Sequence, residues 1–183
     1  MLATRLLRAQ HRAIESIFKR LEVRGAEREP LIRELADSLV AHLVIEQELF
    51  YPAVAELEPS LIAESYEEHA LIELSLKRLL ELQPQAPLFL ARLKAIENLL
   101  EFHDDEEEHR LFPRVERKLG VEWLKETGLA LEVRYEFARA AGYRSLVPAG
   151  FALTSADTAQ EKKNGPSLQR KLAAPHSRPV RPH

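Results

Sequence analysis

Four histidines are each followed, four residues later, by a glutamate: His11 and Glu15, His42 and Glu46, His69 and Glu73, His103 and Glu107. Residues four apart in a helix are turned by roughly 400° and raised by about 6 Å, so both side chains leave one face. Imidazole and carboxylate together suit iron, manganese and zinc. The chain contains no cysteine. Disulfides, zinc–thiolate sites and iron–sulfur clusters are therefore excluded, and any metal must rest on nitrogen and oxygen.

Helical spacing says which of these pairs face inward. Phe89, Leu93, Ile96, Leu100, His103, Glu107 and Leu111 keep one alternation of three and four, and Leu35, Leu39, His42, Glu46, Leu49 and Ala53 keep another. His42, Glu46, His103 and Glu107 thus take core positions. Around His11 and His69 the apolar stripe runs nearly as well through Ile14 and Ile72, which puts Glu15 and Glu73 nearer a solvated edge. Ionised carboxylates inside a bundle are costly unless something compensates them. Cations held between imidazoles would do so.

The elements that must position these pairs are four long amphipathic segments, about 2–23, 31–57, 61–82 and 88–119. Gly25 with Pro30, Pro59, and Pro84 with Pro87 separate them, and Gly120 stands where a helix C-cap is expected. Short connections between long helices predict an antiparallel up-down-up-down four-helix bundle over 1–119. A fifth helix over 120–143 is expected to pack across one end through Trp123, Leu124, Leu131 and Phe137. Residues 144–183 are rich in Pro, Ser, Ala and basic residues without periodicity, the signature of a disordered tail. Counted in residues from the expected helix ends, the four histidines lie at roughly one level, ~17–23 Å from the turns of their own hairpins.

The composition is that of a globular chain, 45% hydrophobic and 30% charged. No segment has the ~20 apolar residues of a membrane span, and the start lacks the apolar run of a signal peptide, so a cytoplasmic location is expected. From Pro148 onwards six basic residues face two acids, a tail of +4; with −3 overall, the remainder carries −7. That charge argues against nucleic-acid binding by the bundle. Nothing identifies a partner for the tail.

The chain also repeats itself. His42-x-x-x-Glu46 leading to Tyr51-Pro52 matches His103-x-x-x-Glu107 leading to Phe112-Pro113 at an offset of 61. His11 through Leu21 matches His69 through Leu79 at an offset of 58. Each half is one helical hairpin, and the pseudo-symmetry places two equivalent ligand sets about one axis. Pro52 and Pro113 are expected to kink or end their helices. Tyr51 and Tyr66 could approach the site but read as packing, His109 faces outward or supports a ligand from behind, and the run Asp104 to Glu108 reads as a solvated face apart from Glu107.

Order, spacing and the duplicated aromatic-proline endings over residues 5–116 resemble the hemerythrin-like, HHE cation-binding family. The resemblance implies a non-haem di-iron site, with manganese or zinc less expected. His11, His42, Glu46, His69, His103 and Glu107 would be its ligands, Glu46 and Glu107 the bridging carboxylates, and Glu15 and Glu73 further candidates. Where oxygen-carrying hemerythrins have another histidine this chain has Glu73, and where they use an aspartate five residues after a histidine it has Glu107 four after His103. The added negative charge favours ferric iron and argues against reversible oxygen carriage. Two roles follow from the resemblance. One is binding or sensing of oxygen, nitric oxide or iron. The other is an enzyme acting on peroxide or ferrous iron, catalase-like or ferroxidase-like. A small diatomic ligand or peroxide would be the partner at the metal.

Overall fold

The computed structural model describes residues 1–146, and every described element is helical. In chain order these are α1 (Ala3–Glu22), α2 (Arg28–Ile45), a π-turn π1 (Glu46–Phe50), α3 (Tyr51–Val54), α4 (Pro59–Leu80), α5 (Phe89–Glu106), a second π-turn π2 (Glu107–Leu111), α6 (Phe112–Ala141) and α7 (Tyr143–Leu146). Four rods result: α1; α2 with π1 and α3; α4; and α5 with π2 and the start of α6.

Polar contacts between rods fix their directions. Arg20–Glu34 and Gln10–His42 join the first and second rods. Tyr51–His69 and Gln47–Glu73 join the second and third, and His69–His103 and Arg78–Arg92 the third and fourth. His11–Glu108 and Thr4–Glu116 close the ring from first to fourth. In every case numbers rise on one rod as they fall on the other. The rods therefore run antiparallel, each beside the next in sequence.

Two apolar layers fill the bundle. One, toward the Gly25 and Pro84 turns, gathers Phe18, Leu21, Leu35, Leu39, Leu76, Leu79, Phe89 and Leu93. The other, toward the opposite end, gathers Leu7, Ile45, Phe50, Tyr51, Leu111, Phe112 and Val115. Between them lies a buried polar layer that contains all four histidines of the His-x-x-x-Glu pairs.

The prolines, expected to kink or end their helices, each follow a widened turn, and the helix ends soon after Pro52 but runs on past Pro113. Pro52 and Pro113 each follow a π-turn in which the preceding aromatic N–H, of Tyr51 or Phe112, reaches back five residues to the carbonyl of Glu46 or Glu107. The wide turn takes up one extra residue, and the rod continues beyond it. In that register a residue at position 52 would donate to the Gln47 carbonyl; proline cannot, and the Tyr66 hydroxyl donates there instead at 3.2 Å.

Helix α2 starts at Arg28 rather than near Leu31, because Pro30 falls in the first turn, where backbone amides have no helical partner. Gly120 breaks α6 with φ 74° and ψ 172°, a conformation open to glycine. The fifth helix that follows, 121–141, lies along α2 instead of across an end: Arg134 holds Glu48 through two bonds of 2.7 and 2.9 Å, and the Tyr143 amide donates to Asp37 at 2.9 Å. Its inward face is Leu124, Gly128, Leu131, Tyr135 and Ala138, with Trp123 partly buried beside it. Phe137 is 69% exposed, contrary to expectation. Six residues past Leu131 is about 600° of rotation, so Phe137 stands some 120° off the buried face, and Tyr135 fills it. At Gly128 a Cβ would lie 2.2 Å from the Met1 carbonyl oxygen, so only glycine lets the two backbones meet. Residues 144–146, expected to begin the tail, form a helical turn with Tyr143. The rest of the tail lies outside the described residues. Among the described residues no helix is long and apolar enough to cross a membrane.

Candidate metal centre

The polar layer is built by two events in each hairpin. The stripe of α1 delivers His11 and that of α4 delivers His69. On the second and fourth rods a histidine sits one turn before a π-turn whose first residue is the glutamate, Glu46 or Glu107. Six side chains converge there: His11 is 4% exposed, and His42, Glu46, His69, His103 and Glu107 are fully buried.

Five of them fall into two donor groups that share one carboxylate, and Glu107 stands outside both. His11, His42 and Glu46 form one, Glu46, His69 and His103 the other, with the donor atoms of each within 4.8 Å of one another. Ligands bonded at ~2.0–2.2 Å to one ion lie within about 4 Å of each other, so small side-chain movements suffice. Glu46 Oε2 is 3.3 Å from His42 Nε2 and 3.4 Å from His69 Nε2. Glu107 Oε2 lies 3.5 Å from His11 Nε2.

Residues 2–115 match the family model of the hemerythrin HHE cation binding domain. The chain belongs to this family. The HHE domain is also similar to a solved structure, the crystal structure of a hemerythrin HHE cation binding domain-containing protein, the Rv2633c homolog from Mycobacterium kansasii. The likeness has a TM-score of 0.70 at 29% identity, over 82% of this chain and 94% of that one. The comparison with curated proteins finds no match.

The residues present fit a bound cation. His11 Nε2, His42 Nε2 and all four carboxylate oxygens of Glu46 and Glu107 are buried with no hydrogen-bond partner. A buried polar atom left unpaired costs about 1–3 kcal/mol, and a charged one more. Six in one layer are untenable for a purely structural cluster, and all six are metal-ligand types.

The outer ring nitrogens are held from behind. Nδ1 of His11 donates to Glu108 at 2.9 Å, Nδ1 of His42 to the Gln10 amide oxygen at 2.9 Å, and Nδ1 of His103 to Glu68 at 2.7 Å. A donor at Nδ1 fixes the tautomer that leaves Nε2 free for a metal. At His69 the Gln47 amide nitrogen faces Nδ1 at 3.0 Å and also donates to Glu73 at 3.1 Å. These four partners escaped the sequence reading, although the repeat carried the signal: Gln10 and Glu68 are related by 58 residues, Gln47 and Glu108 by 61.

Two other placements differ from expectation, those of Tyr51 and Asp104. The Tyr51 hydroxyl enters the site, 3.0 Å from His69 Nε2 and 3.3 Å from His103 Nε2. Glu15 is exposed and paired with Lys19, and Glu73 is half-buried on Gln47, so neither joins the two groups. Asp104 is only partly exposed; its shielded Oδ1 has no hydrogen-bond partner and lies 3.7 Å from His11 Nε2. His109 faces solvent beside Asp105, as expected.

The electrostatics are polarised. Burial opposes charge on His11, yet Glu107, Glu108 and Asp104 outweigh it and raise its pKa to about 10. Burial, then the neighbouring His11 charge, pushes His42 well down; burial and His103 do the same to His69. Glu46 is pushed well up by burial and by Glu107 facing it, whereas Glu107 is held low despite burial by His11 and His103. Tyr51 is raised by burial and by both carboxylates. Its hydroxyl therefore keeps its proton.

Proposed function

We propose that this HHE domain holds two iron ions on His11, His42, Glu46, His69, His103 and Glu107, and that the centre binds or senses a small ligand such as oxygen, nitric oxide or iron itself. The observation that carries the reading is the sharing of Glu46 by two histidine groups, the position of a bridging carboxylate, with Glu107 opposite it. Bound iron would supply Lewis-acid and redox chemistry. The chain supplies the rest. Gln10, Glu68 and Glu108 orient the rings, the apolar layers exclude water, and the π-turns set Glu46 between the two histidine pairs and Glu107 beside His11. Glu73, tied to Gln47 outside both groups, leaves a layer dominated by imidazole, which favours ligand binding over oxidation of ferrous iron.

A second reading is favoured by Tyr51. A protonated hydroxyl beside His69 and His103 is placed to give a proton to peroxide, as a general acid assisting its disproportionation would. In that reaction two peroxides give two waters and one dioxygen, and no outside reductant is needed. Elemental analysis and an optical spectrum of the aerobic, iron-loaded protein test the centre: two irons per chain with oxo-bridged ferric bands are expected, and zinc without those bands would refute it. Rapid oxygen evolution on adding peroxide would select the enzyme over the sensor. A stable, reversible oxygen band would instead establish carriage.

A further inference from the structure

Beside the site, the first and fourth rods leave a cleft. It is an open cavity of about 420 Å³ that runs along α1 and α5, and buried His11 is among its lining residues. Six carboxylates line it: Glu15, Glu97, Glu101, Asp104, Asp105 and Glu108, against Arg12 and Lys94. Glu97, Glu101, Asp104 and Glu108 follow one another by four, three and four residues, one stripe of the fourth rod. The stripe leads to the buried layer, where Asp104 Oδ1 and His11 Nε2, 3.7 Å apart, are both shielded and both without a hydrogen-bond partner.

The repeat supplies the control. The residues 61 positions before Glu97, Glu101 and Asp104 are Ala36, Val40 and Leu43, which are 0%, 5% and 1% exposed. The same face of the second rod is packed hydrocarbon. The carboxylate stripe is therefore not inherited from the hairpin pattern, and packing does not require it.

We infer that the groove between α1 and α5 is the entry route for a divalent cation, with Asp104 the transit ligand that passes it to His11 and Glu107. This rests on the metal-centre reading above and adds the path to it. An acid-lined cleft concentrates cations and can raise on-rates by ~10–10³, an effect that salt weakens. Asp104 gives the ion a first anionic oxygen as it sheds water, within one ligand diameter of the resident histidine.

The test follows uptake of ferrous iron by the metal-stripped full chain under anaerobic conditions, from the loss of a chromophoric ferrous chelate, with final iron counted afterwards. Asp104→Asn is expected to slow uptake by about tenfold and Glu101→Gln by about threefold. Because a path residue leaves the end states alone, release to excess chelator slows by the same factors and the final iron per chain stays that of the parent. Raising salt slows the parent more than either variant. Glu101→Gln, at an exposed position, keeps the test open should Asp104→Asn fold poorly by circular dichroism. Unchanged uptake in both variants, with full loading, overturns the route and leaves the metal centre standing. Lost iron content at an unchanged uptake rate also overturns it, since Asp104 would then be a resident ligand. Failure of the parent chain to take up iron refutes the metal centre itself.

Discussion

The two helical hairpins are copies of one pattern, yet they surround the polar layer unequally. In the first, His42 is backed by a neutral amide, Gln10; its repeat mate His103 is backed by a carboxylate, Glu68. The first-rod histidine, His11, donates to Glu108, whereas His69 meets the amide of Gln47. Tyr51 brings a hydroxyl to His69 and His103, while its mate Phe112 stacks on His11 with ring centres 5.9 Å apart. Duplication supplied two histidine groups; the differences around them make the two positions chemically distinct. One is ringed by carboxylates and open to an acidic groove, the other sealed and faced by a tyrosine.

The most severe way to break the comparison is to remove what the halves share. Glu46 belongs to both donor groups, Glu107 to the neighbourhood of His11. Glu46→Ala is expected to lower bound iron from about two per chain to near zero, and His103→Ala to about one, by elemental analysis. Loss of metal need not cost the fold. Removing a buried carboxylate that has no partner takes away a desolvation penalty, so metal-stripped Glu46→Ala should melt no lower than the metal-stripped parent. Two irons in Glu46→Ala would show that it bridges nothing.

Exchange of the aromatic pair comes next. Tyr51→Phe makes the second position resemble the first at one atom. Iron content should hold, while any oxygen evolution from peroxide falls by about 10² if the hydroxyl donates a proton. Phe112→Tyr should leave that rate within about twofold, since its ring stacks on His11 and adds no donor at His69. Equal rates in parent and Tyr51→Phe would remove the case for the enzyme.

Equalising the supports should have a smaller effect. Glu68→Gln gives His103 the amide support that Gln10 gives His42. The ring loses a charged acceptor and becomes a weaker base, so iron affinity should fall by about 10-fold in chelator competition. Proton release sharpens the other side. Ligating imidazole and carboxylate must be deprotonated. His11, raised to about 10, holds a proton at neutral pH when no cation faces it, and burial with Glu107 facing it pushes Glu46 in the same direction. Loading at pH 7 should therefore release protons, seen with an indicator in weak buffer, and affinity should weaken as pH falls.

The sequence made the rods, their order and the six converging side chains legible because helical period and repeat offset are local properties. His103 and Glu107 in phase with Leu100 and Leu111 required no knowledge of neighbouring rods. What escaped depends on neighbours. Gln10, Gln47, Glu68 and Glu108 are ordinary polar residues at helix edges until another rod's imidazole arrives, and Asp104 reads as solvated until α1 shields it. The π-turns escaped as well: Pro52 and Pro113 announced a lost hydrogen bond, but whether a rod ends or widens depends on whether apolar residues beyond it, here Val54 and Val115, have a core to enter. Phe137 was a phase error of two residues, and Tyr135 occupies the place assigned to it.

The smallest expected effects come from the two glutamates that complete the His-x-x-x-Glu pattern without reaching the donor groups. Glu15→Ala removes an exposed partner of Lys19 and should leave iron content and affinity within experimental error. Glu73→Ala acts one step closer, because the Gln47 amide nitrogen that it holds also faces His69 Nδ1. Without Glu73 that amide is free to turn and present its oxygen to the ring, the arrangement His42 already has with Gln10. Iron content should stay at two per chain and affinity should rise by up to about threefold, well short of the ~10–100-fold range for a lost outer support. A fall in iron content would instead place Glu73 on the metal. The second half would then carry one more carboxylate than the first, and the balance would tip from ligand binding toward oxidation chemistry.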